Sequence, residues 1–252
     1  MSVILAAIDD SAAAFPVLRA AKAMARTLGA DTQAVHIREG ISETATASAR
    51  HAGISIDVIN GDPVDRIVEL SSDTAVSMVV VGARRQRSGP RPSGHVAFAV
   101  MARVAKPVLV VPPDARLPTT DRFDRVLMPL EGTAPSAGAV AAELQALHRA
   151  GAGITVLHVF QPGTAPRFWD QTGHAGQSWG TEFLAQWCDE RGTELRLRSG
   201  EVVAAVLDVA TSESIDVIVL GWSQSTSSDR ARVVREIIGR SEIPVLLAPT
   251  GR

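Results

Sequence analysis

Short apolar runs alternate along this chain with longer stretches of helical character. Val3–Ile8, Thr32–Ile37, Ser55–Ile59, Val76–Val81 and Val108–Val111 read as five strands. Between them, Ala12–Leu28, Ser42–His51, Asp62–Ser72 and Val96–Ala105 read as helices. Gly29 is a stop signal for the first helix. Asp62 can cap the third, and Pro63 suits its first turn. The fourth strand is almost wholly apolar, as expected when both faces of a sheet are covered. Strand–helix alternation with such strands predicts an α/β fold on a doubly wound parallel sheet. Such sheets bind ligands beyond the carboxyl ends of their strands, where the strand order reverses. That face would carry Asp9, the residues after His36, and the loop after Gly82.

The pattern occurs twice. VILAAIDDSAAA (3–14) matches RVLMPLEGTAPS (125–136), which aligns Asp9 with Glu131 and Ser11 with Thr133. QAVHI (33–37) matches TVLHV (155–159). His36 follows Asp9 by 27 residues (36 − 9), and His158 follows Glu131 by 27 (158 − 131). VVVGA (79–83) matches VIVLGW (217–222), and KPVLVVPP (106–113) matches IPVLLAP (243–249). Gly61 precedes Gly82 by 21 residues, as Gly200 precedes Gly221. A duplication in this order predicts two tandem five-stranded parallel doubly wound sheets with flanking helices. The halves divide as 1–113 and 124–252, and the Pro-rich, polar segment 114–123 reads as a linker. The second half carries about 17 extra residues between His158 and Gly200, including QPGTAPRFWDQTGHAGQSWG (161–180). Phe168, Trp169 and Trp179 make a hydrophobic lid the expected role of this insert.

Composition narrows the class. Hydrophobic residues are 46% and charged residues 21% of 252, which excludes a disordered chain. The formal net charge of −2 argues against nucleic acid or an anionic membrane as partner. With 4% aromatics and no tyrosine, stacking platforms for single strands are not expected. The single cysteine, Cys188, rules out an intrachain disulfide and suits a reducing compartment. The N-terminal apolar run has no basic flank and is broken by Asp9 and Asp10, so it reads as a strand and not a signal peptide. No run of about 18 apolar residues exists to span a membrane. A cytoplasmic location is expected.

The loop GARRQRSGPRPSG (82–94) lies between an apolar strand and a helix. Glycines let a phosphate approach backbone N–H groups, the helix N-terminus adds partial positive charge, and Arg84, Arg85, Arg87 and Arg91 add cations. The same composition also suits a solvated surface loop. It is neither a Walker loop nor G-x-G-x-x-G. Asp9 can accept hydrogen bonds from a ribose or adenine, or cap the next helix; Asp10 or Ser11 could equally do the capping, which leaves Asp9 freer for a ligand. His36 and His158 read as packed strand-end residues, and Cys188 as a buried thiol. Asp170 and His174 lack a third metal ligand. No nucleophile-elbow, zincin or kinase pattern occurs, so no enzymatic activity is expected.

Taken in order, AIDDS, VHI, GDPVDRIVELSSD, VVVGARRQRSG and KPVLVVP resemble the universal stress protein family, in its tandem two-domain form. The resemblance implies a nucleotide-binding, Rossmann-like fold, a stress-response role and no established catalysis. It also implies binding of an adenine nucleotide, ATP with Mg²⁺, through three features. These are an acid at the end of the first strand, backbone after the second, and a Gly-x2-Gly-x9-Gly-Ser/Thr loop. Asp9 matches the acid, Val35 lies near the adenine-side backbone, and Gly82 and Gly94 match the first and last loop glycines. Arg84, Ser88, Gly89, His95 and Val96 complete the candidate set. Arg85 replaces the second glycine, His95 replaces the hydroxyl residue, and the loop is one residue shorter than the family's. In the second half only Gly221 survives; Ala231 and Arg232 stand at the last glycine and its partner. Trp222 and Asp229 are unfavourable beside a triphosphate. The implied arrangement is one site in the first half, a degenerate structural second half, and an intramolecular pseudo-dimer of the two. A homodimer of such chains is compatible with it. The alternative is an interaction or scaffold module of the stress response that binds no nucleotide.

Overall fold

The computed structural model describes residues 2–37, 43–83, 95–160, 174–188, 192–224 and 229–249. The first half runs β1 (Val3–Ile8), α1 (Ala14–Leu28), β2 (Asp31–Ile37), α2 (Glu43–Ala52), β3 (Ser55–Ile59), α3 (Pro63–Ser71), β4 (Val76–Gly82), α4 (His95–Arg103) and β5 (Val108–Val111). The second runs β6 (Arg125–Pro129), α5 (Ala134–Arg149), β7 (Gly153–Phe160), α6 (His174–Trp187), β8 (Glu194–Ser199), α7 (Val202–Ser212), β9 (Val217–Trp222), α8 (Asp229–Arg240) and β10 (Val245–Pro249). Every first-half element expected from the sequence is present, with ends displaced by two residues or fewer. Among the described residues, no helix is long and apolar enough to cross a membrane.

Local chemistry sets many of these ends. Gly29 closes α1 in the left-handed region at φ 67°, donating to the Ala25 carbonyl. Gly61 and Gly200 occupy matched turns at φ 132° and 116°, where a Cβ would strain the backbone. The acid after each glycine caps the next helix. Asp62 accepts from the Asp65 N–H, and Glu201 accepts from those of Val203 and Ala204. These two N–H bonds hold the Glu201 carboxyl below its usual range.

Each half builds a parallel sheet in the order third, second, first, fourth, fifth strand. The two sheets join edge to edge into one ten-stranded sheet, ordered β3-β2-β1-β4-β5-β10-β9-β6-β7-β8. The join is antiparallel, with Val108, Leu109 and Val110 opposite Leu247, Leu246 and Val245. The apolar runs PVLVV and PVLLA therefore cover each other's edge, which removes two strands that would otherwise template aggregation.

Helices cover both faces. One core lies between the sheet and α1, α2, α5 and α6; the other lies under α3, α4, α7 and α8. Alternation along a strand sends Leu109 to the first core and Val108 and Val110 to the second. Each core contains side chains from both halves, so neither half buries its apolar surface alone.

The segment between the halves is strapped down rather than loose. Arg116 donates its backbone N–H to Glu242, and Arg26 pairs with Asp121. The Arg122 guanidinium donates to the carbonyls of Arg26 and Ala150, one from each half. Phe123, expected to end the linker, is fully buried in the first core, and its N–H donates to Thr27 Oγ1 at 2.8 Å.

Candidate functional site

Strand order reverses in the first half between β1 and β4, which are neighbours although β2 and β3 intervene in the chain. This is where an open α/β sheet leaves a crevice at its carboxyl edge. Asp9 follows β1 on one side of it, and Gly82 and Ala83 end β4 on the other. The arginine-rich segment then leads into α4. The candidate residues Arg84, Ser88, Gly89 and Gly94 lie outside the described residues. His95 opens α4, and Val96 beside it is 40% exposed.

Asp9 takes up the local role that was one of its two readings. Its Oδ1 accepts from the Ser11 N–H at 3.0 Å and from the Ser11 hydroxyl at 2.5 Å. Ser11 Oγ in turn accepts from the Ala13 N–H at 3.2 Å. This turn positions the entry to α1, so Asp9 and not only Ser11 shapes it. Val35 is interior to β2, registered with Ala7 of β1 and Asp57 of β3, and buried in the second core. β2 itself ends two residues later, at Ile37.

Gly82 owes its place to packing. A Cβ there would stand 3.3 Å from Val17 Cγ2 and 3.9 Å from Ala13 Cβ, so α1 packs closely on β4 at this glycine and a side chain would push Val17 aside by a few tenths of an ångström. The matched Gly221 is tighter, with Ala139 Cβ of α5 at 3.0 Å. The duplicated glycine therefore has one architectural reason in both halves, independent of any ligand.

The repeated histidines share a bond too. His36 Nδ1 lies 2.9 Å from the Ile8 carbonyl, and His158 Nδ1 lies 2.9 Å from the Leu130 carbonyl. A carbonyl only accepts, so both rings carry the proton on Nδ1. Neutral, each then presents Nε2 as an acceptor. His36 is buried, and its Nε2 has no hydrogen-bond partner among the described residues; the nearest charge is Asp10 Oδ2, at 3.7 Å. This pair was not singled out from the sequence. The signal available was the alignment of Asp10 with Gly132.

The second half fills the same place with rings. A Cβ on Gly132 would fall 2.9 Å from Phe183 Cε2, so no Asp10 counterpart fits there. Phe183 stacks on Trp179 at 5.0 Å, and both pack on His158, at 4.9 and 5.4 Å. The rings come from α6, where α2 of the first half buries only Ala45 and Ala49. The described part of the insert is thus helix packed on the core. Phe168, Trp169 and Asp170 lie outside the described residues, as does any metal pairing of Asp170 with His174. Among the described residues, no group of three or more ligating side chains could hold a metal. Cys188, at the end of α6, is the buried thiol expected.

Burial among these rings lowers the His158 pKa, and the Leu130 bond opposes this only in part. A lowered folded-state value means the unfolded chain takes the proton first. The stability His158 allows is present above the ordinary histidine range and is lost as pH falls through it. Thermal midpoints should therefore drop between pH 7.5 and pH 5.5, and drop less in His158→Asn. Equal drops in both proteins would refute this assignment.

The universal stress protein family model matches residues 38–112 and again 122–249. The chain belongs to the universal stress protein family, with two copies of its unit in tandem. The first match begins after β1, α1 and β2, so Asp9 and Val35 join that unit through the repeat and the fold. Among solved structures, a universal stress protein from Archaeoglobus fulgidus DSM 4304 is similar at TM-score 0.64 and 17% identity, over 99% of this chain and 96% of that one. A functionally unknown protein from Pseudomonas aeruginosa PAO1 is similar at TM-score 0.61 and 11% identity, over 99% and 93%. At such identities the likeness is one of fold. No curated protein matches the sequence.

Proposed function

We propose that the first half binds an adenine nucleotide, ATP, in the crevice between β1 and β4, and that the protein serves the stress response as a binder rather than a catalyst. The observation that carries this reading is the reversal of strand order. It sets Asp9 and the β4 end on two sides of one crevice, and an arginine-rich segment runs from there into a helix N-terminus. The described residues fit the adenosine end of such a ligand. His36 Nε2 is buried without a hydrogen-bond partner among the described residues, and in the neutral ring it would accept from a base amine or a ribose hydroxyl. Asp9 would accept from the ribose, and the arginines with the start of α4 would meet the phosphates and the Mg²⁺ they carry. The second half, with Phe183 seated against Gly132, is structural in this reading.

Calorimetric titration of the full chain with Mg·ATP tests it. Binding heat is expected in the wild type. Asp9→Asn, which keeps an acceptor for the turn but removes the charge, should weaken binding by about 10-fold, the scale of one lost charge-assisted hydrogen bond. Absence of heat at millimolar ATP would sink the proposal. It would favour the scaffold alternative, which the architectural reasons for Asp9 and Gly82 independently support.

A further inference from the structure

Where β4 of the first half runs on into Ala83, the matching position that ends β9 is Trp222. Its ring is 2% exposed, and its Nε1–H donates to the Met101 carbonyl at 2.9 Å. Two residues on, Gln224 donates through Nε2 to the Val104 carbonyl at 2.6 Å. Both acceptors belong to the C-terminal end of α4, in the other half. A helix leaves its last four carbonyls without intrahelical partners, so these are groups that need donors. Gln224 makes its contact at φ 58°, a left-handed conformation that a side chain disfavours and that surrounding structure must hold.

At the Trp222 position the clamp runs one way. Counted from Pro107 and Pro244, Met101 and Val104 correspond to Ile238 and Ser241. Ser241 is buried, and its hydroxyl orders the turn after α8, accepting from the Ile243 N–H at 3.1 Å and donating to the Ile243 carbonyl at 2.7 Å. Both helices end on the same backbone bond, Val104 N–H to the Val100 carbonyl and Ser241 N–H to the Ile237 carbonyl, each at 2.8 Å. Ala83, in turn, is too small to reach across as Trp222 does. Trp222 and Gln224 thus supply donors across the join to the end of α4, and Ala83, at the position matching Trp222, has no side-chain donor to return one.

α4 is a rod of nine residues, about 13 Å long at 1.5 Å per residue. Trp222 and Gln224 bond its C-terminal end, and its N-terminal end, at His95, follows β4 and so starts from the carboxyl edge of the first-half strands. We propose that Trp222 and Gln224 are positioning residues for the phosphates of the nucleotide bound by the first half. The loop start that the second half no longer needs for a ligand fixes α4, and α4 fixes the phosphate end of the neighbouring site. This rests on the nucleotide reading above, and it adds that the second half sets the affinity of the first.

The test titrates ATP and adenosine separately into the full-length wild type, Trp222→Phe, Gln224→Ala and Gln224→Glu. Trp222→Phe keeps an aromatic ring while removing the donor, and Gln224→Glu replaces a donor with a group that repels the carbonyl. ATP affinity should fall about 5–10-fold, the scale of one modest hydrogen bond, while adenosine affinity stays unchanged. A merely structural loss would lower both affinities together and leave their ratio intact; that result overturns the proposal, as does no change in either. Should Trp222→Phe fail to fold, the partly buried Gln224 variants carry the same comparison. A wild type that binds no ATP defeats the nucleotide reading and this one together. A wild type that binds, with variants that match it, defeats only the clamp.

Discussion

Replacing Phe123 with alanine is expected to lower the stability of the whole chain by about 3–5 kcal/mol, seen as one displaced denaturation curve. The ring is fully buried in a core shared by α1, α5 and strands of both halves. Its backbone N–H donates to Thr27 Oγ1, whose hydroxyl donates onward to the Ala23 carbonyl within α1. The segment that carries it thus ties the first helix of one half to the start of the other. Removing the ring leaves a cavity at that tie, and no rotamer of the flanking chain refills it. Urea denaturation followed by circular dichroism is the measurement. A midpoint unmoved from wild type, or two separate transitions in either protein, would show that the halves unfold independently and that the core is not shared.

Leu109→Asp should do more harm, because it strikes the join itself. Leu109 lies opposite Leu246 across the antiparallel β5–β10 pair, and both are buried in the first core. A carboxylate there has no partner of opposite charge in the apolar layer. Burying an unpaired charge costs several kcal/mol even after relaxation, against a total stability of about 5–15 kcal/mol for a typical domain. The expected outcome is loss of the cooperative transition or of soluble protein. Leu109→Met, which conserves volume and polarity, should cost under about 1.5 kcal/mol. A Leu109→Asp protein that melts within a few degrees of wild type would show that the two sheets do not need this seam.

The elements were legible because their signals are local. Apolar runs of strand length, Gly29 after an alanine-rich helix and Asp62 before Pro63 each act within a few residues. The duplication was legible as well, since matched spacings survive even where identities do not. What the sequence could not separate were residues with two physical reasons to exist. Gly82 suits a phosphate loop, but the close approach of Val17 gives helix packing a reason for it as well. Asp9 suits a ribose, yet its Oδ1 also holds the β1–α1 turn. Val35 stands two residues before the end of β2, as the expected strand had it.

Trp222 is the clearest case of the opposite kind. Beside a triphosphate it made no sense, and the sequence offered no other role for it. Its partner, the Met101 carbonyl, lies 121 residues away and in the other half. The same holds for Phe183, whose meaning depends on Gly132.

The sequence by itself determined that this chain is α/β, duplicated, and altered in its second copy, because periodicity, capping and spacing are written within each repeat. Only the tertiary structure decided that the copies form one ten-stranded sheet with two shared cores. It alone decided that rings from α6 pack on His158 and Gly132 and that Trp222 turns to the other half's helix. Those outcomes depend on which distant surfaces meet and which donors find carbonyls there. A linear pattern of apolar and polar residues fixes the faces but leaves their partners open.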